Sequence, residues 1–287
     1  MKYAVLGAAG QLGRDLCSRL PDEVVPLTRA EADLTQRGAL RKLLSDLRPD
    51  VVINCAAYNF VDRAEDEPDA AFAVNAWAVR ELAVACDELG VVLVHFSTDH
   101  VFGLDTARRT PYAEDDAPGP VSVYGLSKLS GEYLVRALCP RHIVVRTCGL
   151  YGAWGSGGKG GNFVETMLRL TRELRAVRVV SDQVCTPTYT ADLAAAVVSL
   201  LKIGTYGLYH VTNAGACSWH EFARTIFELE KLDVDLTAIS SAAFGAKARR
   251  PAYSVLDAAA YRRLGLPALR PWQEALAAYL AERRLRR

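Results

Sequence analysis

Lys2-Tyr3-Ala4-Val5-Leu6-Gly7-Ala8-Ala9-Gly10-Gln11-Leu12-Gly13 opens the chain, and its reading decides the fold. Residues 2–6 form a short, mostly apolar run of strand type, and Leu12, Leu16 and Leu20 recur at the spacing of one helix face. Between them lies Gly-x-x-Gly-x-x-Gly. Glycines at those points let the backbone turn tightly and approach a pyrophosphate, whose charge rests on the N–H groups of the helix start. A glycine-rich strand-to-helix turn can also bind nothing, so the motif needs support from the rest of the chain.

Working outward, strand and helix patterns alternate. Glu23 to Thr28 reads as a strand, the polar segment Arg29 to Thr35 leads to a helix ending near Leu47, and Val51-Val52-Ile53-Asn54 is a buried strand. One helix is expected from Asp69 to Leu89, interrupted by Asn75, then a strand from Val91 to Ser97. A long loop, Gly103 to Pro120, precedes a helix carrying Tyr124, and His142 to Arg146 is a further strand. Such alternation predicts an α/β chain, a doubly wound parallel sheet (Rossmann fold) with right-handed helical crossovers. Past Tyr151 the pattern loosens. Gly152 to Gly161 reads as a mobile loop, followed by a helix to about Arg175, a strand at Val177 to Ser181, a helix from Ala191 to Leu201 and a strand at Gly207 to Val211. Ser218 with Glu221 reads as the capped start of a helix, and a last helix runs from Trp272 to Arg284. The arginines at 283, 284, 286 and 287 read as a solvated helix end. Residues 1–150, rejoined by about 191–213, are assigned to the nucleotide-binding domain. Residues 151–190 and 214–287 are assigned to a smaller mixed α/β substrate lobe.

Composition narrows the class. The 287 residues are 51% apolar with a formal charge of +1, which argues against disorder and against a nucleic-acid partner. No apolar run is long enough to span a bilayer, and the N-terminus lacks the regions of a signal peptide. The seven cysteines are scattered without a C-x-x-C, as buried thiols in a reducing cytosol would be, and the five histidines show no ligand spacing. These features predict a cytoplasmic enzyme with no bound metal and no membrane partner; a homodimer is left open.

Tyr124 and Lys128 lie four apart in Val-Tyr-Gly-Leu-Ser-Lys, so a helix places phenol and ammonium on one face. A neighbouring cation favours phenolate and is expected to lower the Tyr124 pKa toward the range of a general acid. Proton delivery to oxygen while hydride arrives at carbon is what a carbonyl reductase requires. Such pairs are common on helices, where a lysine merely snorkels past a half-buried tyrosine. This pair gains weight from its neighbours: the glycine turn, Ala56-Ala57-Tyr58, Ser97-Thr98-Asp99 and Thr147-Cys148 each follow a strand, and ligands of doubly wound sheets bind at the carboxyl ends of strands.

The chain resembles the extended short-chain dehydrogenase/reductases, and within them the dTDP-4-dehydrorhamnose reductase family, over essentially its whole length. The resemblance is carried by residues 7–13, Ala-Asp-Leu-Thr (32–35), Pro-Asp-Val-Val-Ile-Asn-Cys-Ala-Ala-Tyr (49–58), Val-Asp-Arg-Ala-Glu (61–65), Phe-Ser-Thr-Asp-His-Val-Phe (96–102), Val-Tyr-Gly-Leu-Ser-Lys-Leu-Ser-Gly-Glu (123–132) and Gly-Asn-Phe-Val-Glu-Thr-Met-Leu-Arg-Leu (161–170). Shorter matches are Asp-Gln (182–183), Pro-Thr (187–188), Arg-Arg-Pro (249–251) and Pro-Trp (271–272). It implies that Gly7, Gly10, Gln11 and Leu12 hold the pyrophosphate, Asp33 and Leu34 lie near the adenosine, and Ala56, Ala57 and Tyr58 line the path to the nicotinamide. Thr98, Tyr124 and Lys128 would be catalytic, with Thr98 holding the C4 oxygen that Tyr124 protonates and Lys128 also gripping the nicotinamide ribose. Asn75 would support the site, or simply bond a neighbouring backbone group.

The second strand ends in Thr28-Arg29 without an adjacent acid. Arg29 suits a 2′-phosphate, so NADPH is favoured and NADH tolerated. The substrate implied is a nucleotide sugar, met by Val61, Thr98, His100, Tyr124, Asn162 and Arg250, although Arg250 equally suits a surface salt bridge. Two positions depart from the family: His100 stands where Tyr is frequent, and Gly149 where Trp is frequent. Tyr189-Thr190-Ala191-Asp192 lacks the glutamate with which some members support a metal-linked dimer. The implied reaction is reduction of dTDP-4-dehydro-β-L-rhamnose to dTDP-β-L-rhamnose. The alternatives are another 4-keto-6-deoxyhexose as substrate, a nucleotide-binding regulatory subunit like that of methionine adenosyltransferase, or an epimerase or dehydratase. For a dehydratase the acidic pair beside Thr98 is incomplete.

Overall fold

The computed structural model describes residues 1–36, 38–154 and 161–286. Most of the segment expected to be a mobile loop, residues 155–160, therefore lies outside the described residues. Five strands, β1 (Lys2–Leu6), β2 (Glu23–Leu27), β3 (Val51–Asn54), β4 (Val92–Thr98) and β5 (His142–Thr147), join the strand Gly207–His210 in one parallel sheet. Its order is Gly207–His210, β5, β4, β3, β1, β2. Among the described residues the sheet ends at β2 and has six strands, 2-1-3-4-5 in chain order with Gly207–His210 on the far edge; the polar stretch 29–35 offers no apolar run for a strand beyond β2. The winding reverses between β1 and β3, which opens a crevice at their carboxyl ends.

Strand alternation sorts the core into two faces. Tyr3, Val5, Ile53, Val94 and Val145 pack with Leu12 and Leu16 of helix α1 (Gln11–Cys17) and with Leu193, Val197 and Leu200 of the helix Thr190–Ile203. Ala4, Leu6, Val52, Leu93 and Val144 face the opposite side, against Leu40 and Leu44 of α2 (Ala39–Leu47) and Leu82 of the helix Ala78–Glu88. The single helix expected from 69 to 89 is in fact Pro68–Phe72, a π-helical turn Ala73–Trp77 and Ala78–Glu88. The extra residue of the π turn sits around Asn75, whose side chain is drawn inward to three partners.

A second core gathers Met167, Phe222, Trp272 and Tyr279 from the helices Phe163–Glu173, Trp219–Glu230 and Trp272–Leu285 around Tyr151 of the short strand Leu150–Tyr151. A parallel pair, Ala176–Val180 with Asp235–Ile239, borders it. The arginine-rich end is not wholly solvated: Arg283 is buried and pairs with Glu165, while Arg284 reaches Glu230 and Arg286 reaches Glu282. The cysteines are free thiols, with Cys17 and Cys55 only half-buried. Among the described residues no helix is long and apolar enough to cross a membrane.

Candidate active site

The glycine turn is a cradle in which side chains do not fit. A Cβ on Gly7 (φ +72°) would stand 2.8 Å from the Ala56 nitrogen, and one on Gly13 would stand 2.4 Å from the Gly7 oxygen. Gly10 caps α1 with no side-chain acceptor on the first N–H groups, so they remain available to an anion. Gln11 donates to the Leu150 carbonyl (3.1 Å), and its Oε1 is buried with no hydrogen-bond partner. This combination suits a dinucleotide pyrophosphate. Leu12 and Leu34 send their side chains into the two sheet cores, so only their backbones can meet a ligand. Arg29 is exposed at the end of β2 and pairs with Asp33 at 3.4 Å, while Asp33 accepts from the Thr35 N–H and hydroxyl. Glu31, invisible to a reading of adjacent residues, folds back to accept from the Thr28 N–H at 2.8 Å and from its hydroxyl. The strand end thus carries an acid suited to a ribose hydroxyl and a cation suited to a 2′-phosphate.

Beyond β3, Asn54 accepts from the Ala56 N–H (3.1 Å), which shapes the Ala56-Ala57 turn. Asn75 accepts from the Tyr58 N–H at 2.9 Å and donates to the Tyr58 carbonyl (2.8 Å) and to Ser127 (3.0 Å). It is thus a strut between this loop and the helix Val123–Leu138, and Tyr58 turns its hydroxyl to Glu67 (2.8 Å).

The chemistry-bearing residues meet where β4 ends. Ser122 caps the helix Val123–Leu138, accepting from Gly125 N–H, and Tyr124, Lys128 and Glu132 succeed one another on one face. The Thr98 hydroxyl donates to Asp99 at 3.1 Å, accepts from the His100 N–H at 3.2 Å, and stands beside the Tyr124 phenol, whose pKa it lowers. Asp99, which sequence reasoning left without a role, is buried and accepts from Ser254 (2.6 Å) and Cys148 (3.0 Å). The His100 ring meets Tyr124 edge-on at 5.5 Å.

The expected lowering of the Tyr124 pKa is corrected by the structure. Burial pushes it up to about 12, only partly offset by the Thr98 hydrogen bond. Lys128 does not oppose this, because its ammonium is turned to the Phe96 carbonyl (2.6 Å), and burial brings its own pKa down to about 8 despite the attraction of Glu132. Behind Lys128, Glu132 accepts from Ser97 (2.9 Å) and from Arg146 in bidentate fashion (3.0 and 2.5 Å), and Arg146 also meets His210 at 3.2 Å. Both members of that ion pair are fully buried.

A cavity of about 640 Å³ runs from Gln11, Thr98 and Tyr124 across to Arg178, Gln183 and Trp219, a size that suits a small organic ligand. Val61, His100, Asn162 and Arg250 also line it. Arg250 serves both expectations, since it lines the cavity and pairs with Asp62 at 2.7 Å. Asn162 is also structural: it caps the helix Phe163–Glu173 through the Glu165 N–H and donates to the Gly152 carbonyl. Lys128, the glycine cradle, Arg29, Asp33 and Ala56–Tyr58 do not line this cavity. Asp62 and Trp219 lie in stretches read for other reasons, residues 61–65 and the capped helix start at Ser218, and Ser254 lies in none, so none of the three was assigned to the site.

A doubly wound parallel sheet, a dinucleotide cradle after β1, a hydroxyl at the end of β4 and a Tyr-x-x-x-Lys helix beside it define the extended short-chain dehydrogenase/reductases. The profile described as the RmlD substrate binding domain matches residues 1–285, and the chain belongs to that family, the dTDP-4-dehydrorhamnose reductases. It is 42% identical over 280 residues to the dTDP-4-dehydrorhamnose reductase of Mycolicibacterium smegmatis, covering 96% of this chain and 84% of the relative. It is also 42% identical to a probable dTDP-4,6-dihydroxy-2-methyloxan-3-one 4-ketoreductase of Streptomyces antibioticus, covering 96% and 93%. Among solved structures it superposes on the dTDP-4-dehydrorhamnose reductase of Bacillus anthracis in complex with NADP, with a TM-score of 0.93, 39% identity and coverage of 98% and 99%.

Proposed function

We propose that this chain is the NADPH-dependent reductase that converts dTDP-4-dehydro-β-L-rhamnose to dTDP-β-L-rhamnose. The observation that carries the reading is that Thr98 and Tyr124 line one cavity together with Gln11, which follows the glycine turn. When bound, the reduced nicotinamide supplies hydride to C4. Tyr124 is the proton donor to the C4 oxygen, and its raised pKa keeps the phenol protonated at neutral pH. To hold the same oxygen, Thr98 turns to it the single hydroxyl proton that it gives to Asp99 in this structure. Lys128 supplies positive charge behind the phenol as the phenolate develops. We assign Gly7, Gly10, Gln11, Leu12, Arg29, Asp33, Leu34, Ala56, Ala57 and Tyr58 to the cofactor, and Val61, His100, Asn162 and Arg250 to the sugar nucleotide. In this division residues 1–150 and about 191–213 serve the cofactor, and the lobe of 151–190 and 214–287 serves the substrate. The S. antibioticus relative supports a second reading, another dTDP-4-keto sugar, with the same residues in the same roles.

The test is NADPH oxidation with dTDP-4-dehydrorhamnose generated in situ. Wild type turns over, and Tyr124→Phe loses about 10²-fold or more while NADPH binding is retained. Absence of wild-type turnover with NADPH bound would remove this substrate.

A further inference from the structure

The helix Trp219–Glu230 begins under tight control. Ser218 accepts from the Glu221 N–H at 3.1 Å, and Glu221 returns a bond from the Ser218 N–H at 2.7 Å. That capping box fixes the first helical residue, Trp219. Its indole packs on Phe163 with ring centroids 4.7 Å apart, Phe163 stacks on Phe222 at 5.7 Å, and Phe222 is fully buried. The indole is therefore rooted in the lobe core while it lines the main cavity together with Phe163.

Its outer edge meets Gly149. A Cβ built there would stand 3.1 Å from Cη2 of Trp219 and 3.2 Å from Cα of Pro187, and Gly149 has φ of +51°. Any side chain at 149 would press on the indole from a strained backbone, so the bare glycine and the indole are a matched pair. Gly149 is two residues beyond Thr147, which pairs in register with Thr98. The ring therefore approaches the end of the sheet that bears the reacting groups, from the lobe side.

We infer that Trp219 is a specificity-determining residue: with Phe163 it forms the rigid apolar wall that receives the C–H face and C6 methyl of a 6-deoxyhexose, and Gly149 is the gap that admits it. The inference deepens the keto-sugar reading above and rests on it. An aromatic face matches a methyl and ring C–H groups, and a ring held by two other aromatics, Phe163 and Phe222, pays no ordering cost on binding. Such a wall discriminates by apolar fit, so it separates the sugar from its absence far better than one deoxysugar from another.

The test is calorimetry on the full chain with NADP⁺ present, using dTDP and dTDP-L-rhamnose as separate probes. Wild type is expected to bind the sugar nucleotide more tightly than dTDP. Trp219→Ala should weaken dTDP-L-rhamnose by roughly tenfold or more and leave dTDP within about twofold. Trp219→Leu keeps apolar volume in the lobe and should fold even if the alanine variant does not; it too should lose the sugar's advantage over dTDP. Full sugar preference in the leucine variant, or an equal loss for both probes, would overturn the assignment. Wild type binding neither probe would instead defeat the nucleotide-sugar reading itself, before any variant is compared.

Discussion

Lys128 shows what a single residue's spacing can and cannot say. Four-residue separation places it on the face of Tyr124, and the structure keeps both on that face. Its charge was not legible, because burial sets it, and that burial comes from the packing of the helix on β4, where the ammonium meets the Phe96 carbonyl, with Glu132 one helical turn on opposing the loss of charge. Burial favours the neutral amine, so the ammonium persists below about pH 8 and is lost above it. Tyr124 stays protonated through that range, since its own pKa is pushed up to about 12. If charge on Lys128 supports the developing phenolate, kcat/KM in the reductive direction should hold steady through neutral pH and fall above about 8. Lys128→Met should be slower throughout and lose that limb. A wild-type profile flat to about pH 10, the ordinary range of a lysine, would show that the charge is not used.

At the scale of the element, the helix Val123–Leu138 was readable in kind and phase, whereas the helix facing it was misread. A 3.6-residue period cannot reveal the π turn at Ala73–Trp77, because the extra residue is held by Asn75's bonds to Tyr58 and Ser127, which are distant in sequence. The contact explains Gly131: a Cβ there would stand 2.1 Å from the Asn75 carbonyl oxygen, so the helices touch backbone to backbone. The next residue, Glu132, ties the same helix to β4 through Ser97 and to β5 through Arg146. Removing its charge leaves a buried guanidinium beside a neutral histidine. Glu132→Gln should therefore cost about 3 kcal/mol of unfolding free energy in urea, and Glu132→Gln with Arg146→Met should recover most of it. Additive losses in the double variant would mean that the pair is not a unit.

For the whole molecule, the two sheet cores were written in the alternation of β1, β3, β4 and β5, and the cradle in its glycines. The lobe's helices were also readable, at Phe163–Glu173, Trp219–Glu230 and Trp272–Leu285, but its closure was not, because it runs through two-residue pairings such as Leu150–Tyr151 with Thr188–Tyr189 and Val184–Cys185 with Cys217–Ser218, too short to leave a period. The cavity needs both parts, which is why Asp62, Trp219 and Ser254 surfaced only in three dimensions. The sheet interior also holds two histidines, His95 and His210, both fully buried. The Nδ1 of His210 lies 3.0 Å from the Tyr112 carbonyl and 3.2 Å from that of Asp257, so it carries the proton. Nε2 then accepts from Arg146, and protonating it would set a second cation against the guanidinium. Burial, first, and this repulsion bring the His210 pKa down to about 3, which Asp116 offsets only weakly. His95 is likewise held well below its ordinary value by burial and by Lys128. As pH drops through about 6.5 the unfolded chain takes up protons that the fold refuses, so these histidines' contribution to stability is present above that pH and lost below it. Between about pH 6.5 and 5.5 the two should together remove about 2 kcal/mol of unfolding free energy, and His210→Asn should show about half that decline. A decline unchanged by the substitution would mean that His210 binds its proton in the folded sheet as readily as in the unfolded chain.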